Sequence, residues 1–331
     1  MQRHPTILLV MAFIVFFNSA NVNSQSVNTF KPHGKPLVLI FTKVNTSFNK
    51  SGSSPAFEIT RAYLGYEYFF SKNISSRINI DVADPGAGEL QMTAFIKNAY
   101  LQYKNNGFSA RLGMIGVDQY NLQEKLWGHR YIYKSFQDEY KFGPSADLGA
   151  AFEYSPSEII SFDFSILNGE GYKKIESDST LKTTFGLTLR PLRGLELRGY
   201  FDRMKKDYAQ TSFALFAGYT INKFKAGAEY NIQKNHGMIN QQDFYGISVY
   251  SSLALPGKFS VFARYDYLSS EDWPDSEGPW NESNDGQAFI AGFEYSPVQG
   301  VRIAPSYIGW LPSENENPMT STIALNFEIK F

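Results

Sequence analysis

The sequence contains no cysteine among its 331 residues. Disulfide bonds, iron–sulfur ligation, thiol catalysis and lipid attachment through a cysteine are therefore excluded. Positive charge is not in excess either, because 31 lysines and arginines face 32 aspartates and glutamates. A chain without surplus positive charge has no general attraction for nucleic acid. We therefore expect no nucleic-acid partner, and a stability that comes from burial and hydrogen bonding.

Long hydrophobic runs are missing beyond the N-terminus. The apolar block Ile7–Phe17 is too short for a transmembrane helix, which needs about 20 apolar residues, and small and polar residues follow it. This order is typical of a secretory signal peptide. We predict a signal peptide over residues 1–24, with cleavage before Gln25.

Aromatic residues, in contrast, are abundant. They make up 16% of the chain, with 28 Phe and 21 Tyr, although the mean hydropathy is slightly negative. A transmembrane β-barrel needs this combination, because its outer face contacts lipid, aromatic side chains favour the two membrane interfaces, and its inner face stays polar.

The C-terminal residues alternate between apolar and polar side chains. Ile323, Leu325, Phe327, Ile329 and Phe331 share one face of a predicted strand that ends the chain. This ending resembles the C-terminal insertion signal of Gram-negative outer-membrane barrels. The resemblance implies that Phe331 belongs to an insertion signal read by the barrel-assembly machinery and periplasmic chaperones. It also implies an outer-membrane location, among outer-membrane lipids and lipopolysaccharide.

Turn residues divide the chain into about sixteen alternating segments. Short turns such as Lys104–Gly107 and Pro191–Gly194 alternate with longer polar connections such as Leu311–Pro318. An even number of strands with both termini on the short-turn side is the arrangement of a transmembrane, antiparallel, up-and-down β-barrel. We therefore predict an all-β fold, with a periplasmic N-terminal extension over residues 25–36 and one barrel over 37–331.

Charged residues keep one parity in most of these segments, as expected if one face contacts lipid, where a cation costs about 2 to 4 kcal/mol. Lys97 breaks this rule and predicts a bulge, a position near the rim or a different register. A barrel of this size leaves room for an aqueous channel. The predicted lumen wall contains Arg61, Arg77, Asp81, Arg111, Arg198, Arg264 and Asp266.

The longest connection, residues 116–145, carries many aromatic residues and predicts a functional loop. Ser135 and Asp138 fit a helix-start box, in which the hydroxyl caps an amide and the carboxylate reaches back. We expect this third long loop to fold inward and narrow the pore. The alternative is a loop folded over the rim and engaged in subunit contact. The predicted constriction residues are Lys125, Arg130, Lys134, Asp138, Glu139 and Lys141.

Three runs, Phe57–Tyr66, Asn121–Phe142 and Asn168–Tyr172, resemble the phosphate-selective porin O and P family of Bacteroidota outer membranes. The resemblance implies a sixteen-stranded, homotrimeric channel for passive diffusion of small solutes or anions such as phosphate. The loop itself mixes cations and acids, which predicts weak selectivity, because strong anion selectivity needs a net positive ring. Arg130 and Lys134 are the expected contributors.

Two other classes of function remain open at this stage. An outer-membrane enzyme would need a catalytic constellation, and His129 and His236 stand alone in loops. A non-conducting adhesin or receptor would bind its partner through long loops, above all the loop with Trp273 and Trp280. No metal-ligand spacing or cofactor motif is present, so we expect no enzymatic activity, no metal and no cofactor.

Overall fold

The computed structural model describes residues 30–50, 52–83, 92–272, 278–314 and 318–331. The predicted signal peptide, the start of the predicted extension and Trp273 lie outside these residues. In the described part of the chain, no helix has the length and hydropathy required to cross a bilayer.

Sixteen β-strands and two short α-helices organise the described residues from 32 to 331. The strands are β1 (His33–Asn49), β2 (Gly52–Phe69), β3 (Ile74–Ala83), β4 (Thr93–Asn105), β5 (Phe108–Gly116), β6 (Ala146–Tyr154), β7 (Ile160–Leu167), β8 (Lys182–Leu189), β9 (Leu195–Lys205), β10 (Ala209–Ile221), β11 (Phe224–Lys234), β12 (Phe244–Ala254), β13 (Phe259–Ser270), β14 (Gly286–Tyr295), β15 (Val301–Pro312) and β16 (Thr320–Lys330). The helices, both between β5 and β6, are α1 (Asn121–Trp127) and α2 (Phe136–Glu139).

Each strand pairs antiparallel with its neighbours along the chain, and β1 pairs with β16. The sheet therefore closes on itself, so that each of the sixteen described strands has a partner on both sides. The predicted sixteen-stranded, antiparallel, up-and-down barrel is confirmed. The closure reaches the chain end, where the backbone amides and carbonyls of Val38 and Phe331 pair at 3.0 and 3.1 Å.

The first strand begins at His33, before the predicted barrel boundary at residue 37. Its added residues extend the pairing with β2. The ring of His33 stacks on Phe69 at 5.0 Å, and Lys35 forms an ion pair with Glu67 at 3.0 Å. Part of the predicted N-terminal extension is therefore strand, a difference that the polar sequence of this stretch concealed.

Short turns and long connections occupy opposite ends of the barrel. Between β4 and β5, Asn106 and Gly107 both have positive φ, at 46° and 79°. Two such residues make the tight hairpin turn whose twist matches the flanking strands. At Gly194, between β8 and β9, a Cβ would lie 2.0 Å from the carbonyl oxygen of Thr220, so only glycine fits. The turn chemistry of the sequence thus fixes one end of the barrel.

The two faces of the sheet differ in the way the charge parity predicts. Along β10, Phe213 and Leu215 are exposed, whereas the alternating residues are buried, namely Ser212, Ala214 and Phe216. The same alternation puts the charged residues Arg198, Asp202, Arg264 and Asp266 on the buried face. One face of the barrel is therefore apolar and exposed, and the other is polar. We call them the apolar face and the polar face.

The strand position of Lys97 is explained by a β-bulge. Asn79 of β3 pairs with Asn98, but Ile80 pairs with Ile96, so that Lys97 is the extra residue. The bulge shifts the parity of β4 by one position. Lys97 lies with its ammonium 4.9 Å from the centre of the Tyr63 ring, on the polar face. Of the three explanations that the sequence left open, the bulge is confirmed.

Candidate functional site

The long connection between β5 and β6, residues 117–145, packs against the polar face rather than standing apart from it. Its helix α1 ends where Gly128 adopts a left-handed conformation, at φ 71°. The last residue of the helix, Trp127, is only 1% exposed. Its ring lies 5.6 Å from that of Tyr250 and 5.9 Å from that of Phe262, centre to centre. We call residues 117–145 the packed loop.

The apolar cluster around Trp127 includes side chains from strands on both sides of the β1–β16 closure. It joins residues of the packed loop to side chains from β1, β2, β10, β12, β13, β14 and β15. The wall residues of this cluster include Phe41, Tyr63, Phe216, Tyr250, Phe262, Ile290 and Ala304. A single segment thus contacts strands that lie far apart around the closed sheet, and it does so on their polar face.

Wall side chains also donate hydrogen bonds to backbone carbonyls of the packed loop. The guanidinium of Arg198 donates to Asp118 O at 2.9 Å, that of Arg264 to Lys134 O at 2.6 Å, and that of Arg302 to Gly128 O at 2.7 Å. The hydroxyl of Tyr250 donates to Gln123 O at 3.1 Å. Because the acceptors are main-chain atoms, these bonds do not depend on the exposed side chains of the loop.

All three anchoring arginines are themselves held by carboxylates on the wall. Arg198 pairs with Asp163 at 2.6 Å, and Arg264 pairs with Asp266 at 2.6 Å. Arg302 pairs with Glu294 at 3.2 Å. Such charge-assisted hydrogen bonds orient a guanidinium before it meets its second acceptor. The predicted wall residues Arg198, Arg264 and Asp266 therefore support the packed loop.

The centre of the packed loop is an ion triad. Arg130 Nε donates to Glu124 at 2.7 Å, and Arg130 Nη2 donates to Asp138 at 2.6 Å. Burial opposes the charge on Arg130, but Tyr63, Glu124 and Asp138 outweigh it and keep its pKa well above the ordinary value. Burial would likewise raise the pKa of Asp138, but Arg130 and Lys134 lower it. One cation thus lies between two carboxylates, and the triad is net negative.

Cations from the wall and from the connection 168–181 lie next to this triad. Arg61 pairs with Asp81 at 2.8 Å. Lys97 and Lys173 instead lie over aromatic rings, with Lys173 Nζ 4.8 Å from the Phe95 ring centre. For Arg77, Lys97 and Lys173, no described carboxylate lies within ion-pair distance. We call Arg61, Arg77, Lys97 and Lys173 the wall cations.

Lys173 shows the mutual effect of these charges. Its pKa is lowered by burial and then by the repulsion of Arg61, Lys134 and Lys97. Asp81 opposes these cations, but three cations against one carboxylate leave positive charge predominant around Lys173.

Two cavities meet at Arg130. The larger, about 570 Å³, is lined by Arg130, Lys173 and residues of the long connections. The smaller, about 360 Å³, is lined by Arg130, Arg77, Lys97 and the chain end at Phe331. One cavity lies towards the long-loop end of the barrel and the other towards the short-turn end, so that Arg130 stands between them.

The predicted constriction residues lie in three different environments. Arg130 and Asp138 belong to the triad, and Lys134 pairs with Glu139 at 3.4 Å. Lys125 and Lys141 are exposed.

The predicted wall residues Arg61, Arg77 and Asp81 adjoin the triad, whereas Arg111 lies elsewhere, paired with Asp118 and with Glu153 at 2.6 Å. Sequence reasoning missed Tyr63, Lys173 and Tyr172, whose hydroxyl donates to Asp81 at 2.5 Å. Charge parity pointed to Arg61, Arg77 and Asp81 on this side of the site, and the parity break marked Lys97.

The helix-start box at Ser135 is wrong in its hydrogen bonds. A helix does begin at Phe136, but Ser135 makes no side-chain cap. The carboxylate of Asp138 is drawn to Arg130 instead of back to the Ser135 amide. A charged partner within reach outcompetes the neutral amide.

The two loop histidines pack among rings. His129 Nδ1 lies 2.7 Å from Trp127 O, and its ring lies 4.2 Å from that of Phe262. Burial lowers the pKa of His129 to about 4 and also lowers the pKa of His236. Among the described residues, neither imidazole bonds to a serine or threonine hydroxyl.

These features define a class of architecture, a closed sixteen-stranded barrel with an apolar exterior and a loop packed on its polar face. Comparison with solved structures finds the same fold in outer-membrane channels. The outer membrane channel DcaP of Acinetobacter baumannii matches with a TM-score of 0.70 and 13% identity, over 91% of this chain and 97% of that one.

An anion-selective porin from Comamonas acidovorans matches with a TM-score of 0.65 and 10% identity, over 91% of this chain and 100% of that one. OprB of Pseudomonas putida matches with a TM-score of 0.70 and 8% identity, over 90% and 94%. No protein-family model and no curated protein sequence matches the chain. The barrel is therefore porin-like in fold.

Proposed function

We propose that the protein is an outer-membrane porin that lets small hydrophilic solutes and ions diffuse through a water-filled lumen narrowed by residues 117–145. One observation carries this proposal. The packed loop contacts β9 to β15 and, across the closure of the sheet, β1 and β2, always on the polar face. A segment that reaches so much of the circumference of a closed cylinder fits inside it.

The free passage then lies where the packed loop leaves the wall uncovered. The triad residue Arg130 faces this side, and the wall cations come from β2, β3, β4 and the connection 168–181. A barrel of sixteen strands encloses more space than its side chains fill. The lumen is thus an aperture between the triad and the wall cations.

The charges around the aperture support a weak preference for anions. The triad is net negative, Arg61 is balanced by Asp81, and Arg77, Lys97 and Lys173 are without described carboxylate partners. Selectivity in such pores follows the charge of the residues that line them. The resemblance to the phosphate-selective O and P porins, with phosphate among the permeant anions, belongs to this proposal.

The cellular setting follows from the same proposal. A signal peptide over residues 1–24 directs secretion, and Phe331 belongs to the signal read by the barrel-assembly machinery and periplasmic chaperones. Lipid and lipopolysaccharide surround the apolar face. A homotrimer is proposed on the resemblance, and one structure with the same fold is described as a trimer form.

Single-channel conductance in planar bilayers tests the proposal. The full-length mature protein should give open steps, and deletion of residues 123–141 should raise their conductance. A matched deletion of residues 237–241, in another connection at the same end, should change it little. Folding of each barrel is checked by its heat-modifiable mobility in gels. Folded protein without steps would contradict the porin and favour a non-conducting receptor.

A further inference from the structure

A separate cavity of about 390 Å³ opens at the long-loop end of the barrel, between the packed loop and residues 235–243 and 278–285. Its volume is at the lower end of the range of about 300 to 1,000 Å³ that small-molecule sites occupy. Both rings and hydrogen-bonding groups line it. The lining residues used below are Tyr140, Phe244, Trp280, Trp310, Lys141 and Asn284.

The rings of this cavity are fixed by contacts of their own. Trp280 Nε1 donates to Asp243 O at 2.7 Å, which sets the plane of the indole. His236 stacks on that indole at 5.4 Å and 21°, and Phe244 meets it edge-on at 5.6 Å and 87°. On another side, the rings of Tyr140 and Trp310 lie 6.1 Å apart at 32°. A site with preset rings loses little entropy when a ligand binds.

The polar groups of the cavity are of both signs and suit hydroxyl partners. Glu139 and Lys141 are the charged groups of the lining, and Glu139 is already paired with Lys134 at 3.4 Å. Lys141 is exposed, and its ammonium forms no ion pair in the described part of the chain. The amide of Asn284 is exposed as well. Its Nδ2 donates to Asn281 Oδ1 at 3.0 Å and to Ser283 Oγ at 3.2 Å, and its carbonyl oxygen offers an acceptor.

These features together select a chemical class. Aromatic faces pack well against the C–H faces of a flat ring, and amide, ammonium and carboxylate groups bond hydroxyls at its edge. A ligand with apolar faces and a hydroxyl-rich edge is a sugar ring. The cavity also shares Lys141 and His236 with the larger cavity that leads to Arg130.

We propose that this cavity binds a neutral saccharide of one or two rings before it enters the lumen. The binding itself does not require conduction, and only the direction of onward transfer rests on the proposed porin function. The rings around Trp280 supply stacking, and Asn284 and Lys141 supply hydrogen bonds at the ring edge.

The probe is maltose, titrated into the full-length mature barrel in detergent while tryptophan fluorescence is followed. Saturable quenching is expected. The Asn284→Ala variant should weaken binding about fivefold, as the loss of one hydrogen bond predicts. Trp280→Ala should weaken it more than Trp280→Phe, because Phe keeps a ring. Asn240→Ala, an exposed amide in a neighbouring connection outside the cavity lining, is the matched control and should bind as the native chain does.

Three results would overturn the inference. They are no saturable response to maltose, equal binding by the Asn284 and Asn240 variants, and binding of adenosine but not maltose. Heat-modifiable mobility identifies any variant that fails to fold, and Asn284→Ala removes only an exposed side chain. A conducting barrel that ignores maltose would refute this inference alone, whereas maltose binding by a non-conducting barrel would refute the porin alone.

Discussion

Reversal of the charge at Lys97 is the most direct test of the aperture. Lys97 Nζ lies 3.5 Å from the Tyr63 hydroxyl, and Arg130 Nη1 lies 3.1 Å from the same oxygen. The two cations are therefore at most 6.6 Å apart, the sum of these distances. An ion that passes the triad must pass Lys97 at a similar range.

The size of the effect follows from Coulomb's law. A unit charge about 7 Å away in water contributes about 0.6 kcal/mol, and salt on the order of 0.1 M roughly halves it. Lys97→Glu changes the charge by two and acts in opposite senses on anions and cations. The anion-to-cation permeability ratio should therefore fall about sevenfold, and Lys97→Gln should lower it about threefold.

The measurement is the reversal potential of single channels in a salt gradient. Lys72→Glu is the control, because it makes the same change on an exposed side chain in the β2–β3 turn. It should move the reversal potential much less. If Lys97→Glu conducts normally and leaves the reversal potential unchanged, Lys97 does not face the ion path and the assigned aperture is wrong.

Three further predictions concern the packed loop. Arg264→Met leaves Asp266 buried and unpaired, and should lower the unfolding free energy by about 3 to 5 kcal/mol; the double variant with Asp266→Asn should lose less in urea titrations. For His129, burial lowers the folded pKa to about 4, so its contribution is present above the unfolded value of about 6.5 and is lost as pH falls towards 4. The unfolding free energy of the native barrel should therefore drop more over that window than that of His129→Gln, and equal slopes in urea titrations would contradict the burial of a neutral imidazole. Arg130→Glu with Lys134→Glu should shift the reversal potential towards cation preference, and should raise single-channel conductance because the carboxylates of the triad then repel one another.

The strands were predictable because each lies between two unlike environments. The alternation of Phe213 and Leu215 with Ser212 and Phe216 needs only the side-chain period of two. Lys97 violates that period, which made a bulge one of three explanations that the sequence left open. Turn residues such as Asn106 and Gly107 marked the ends of the strands, because the positive φ angles of such turns favour few residue types.

The site itself was less accessible to sequence reasoning, because its contacts join distant parts of the chain. Arg302 donates to Gly128 across 174 positions, and Arg264 donates to Lys134 across 130. No periodic pattern marks Lys173, which lies in an irregular connection. The sequence shows which charges the packed loop carries. The fold decides which of the cations have a carboxylate partner.

The anchoring of the packed loop by its main chain separates its position from its chemistry. Arg198, Arg264 and Arg302 bond backbone carbonyls, and the wall supplies all three guanidiniums. Substitution of an exposed loop side chain such as Lys125 therefore leaves these bonds in place. The charge of the aperture can thus change while the backbone path of the packed loop stays fixed. Substitution of a wall arginine, in contrast, alters both the charge and the path of the loop. On this reasoning the wall determines where the loop lies, and the side chains beside Arg130 determine which ions pass.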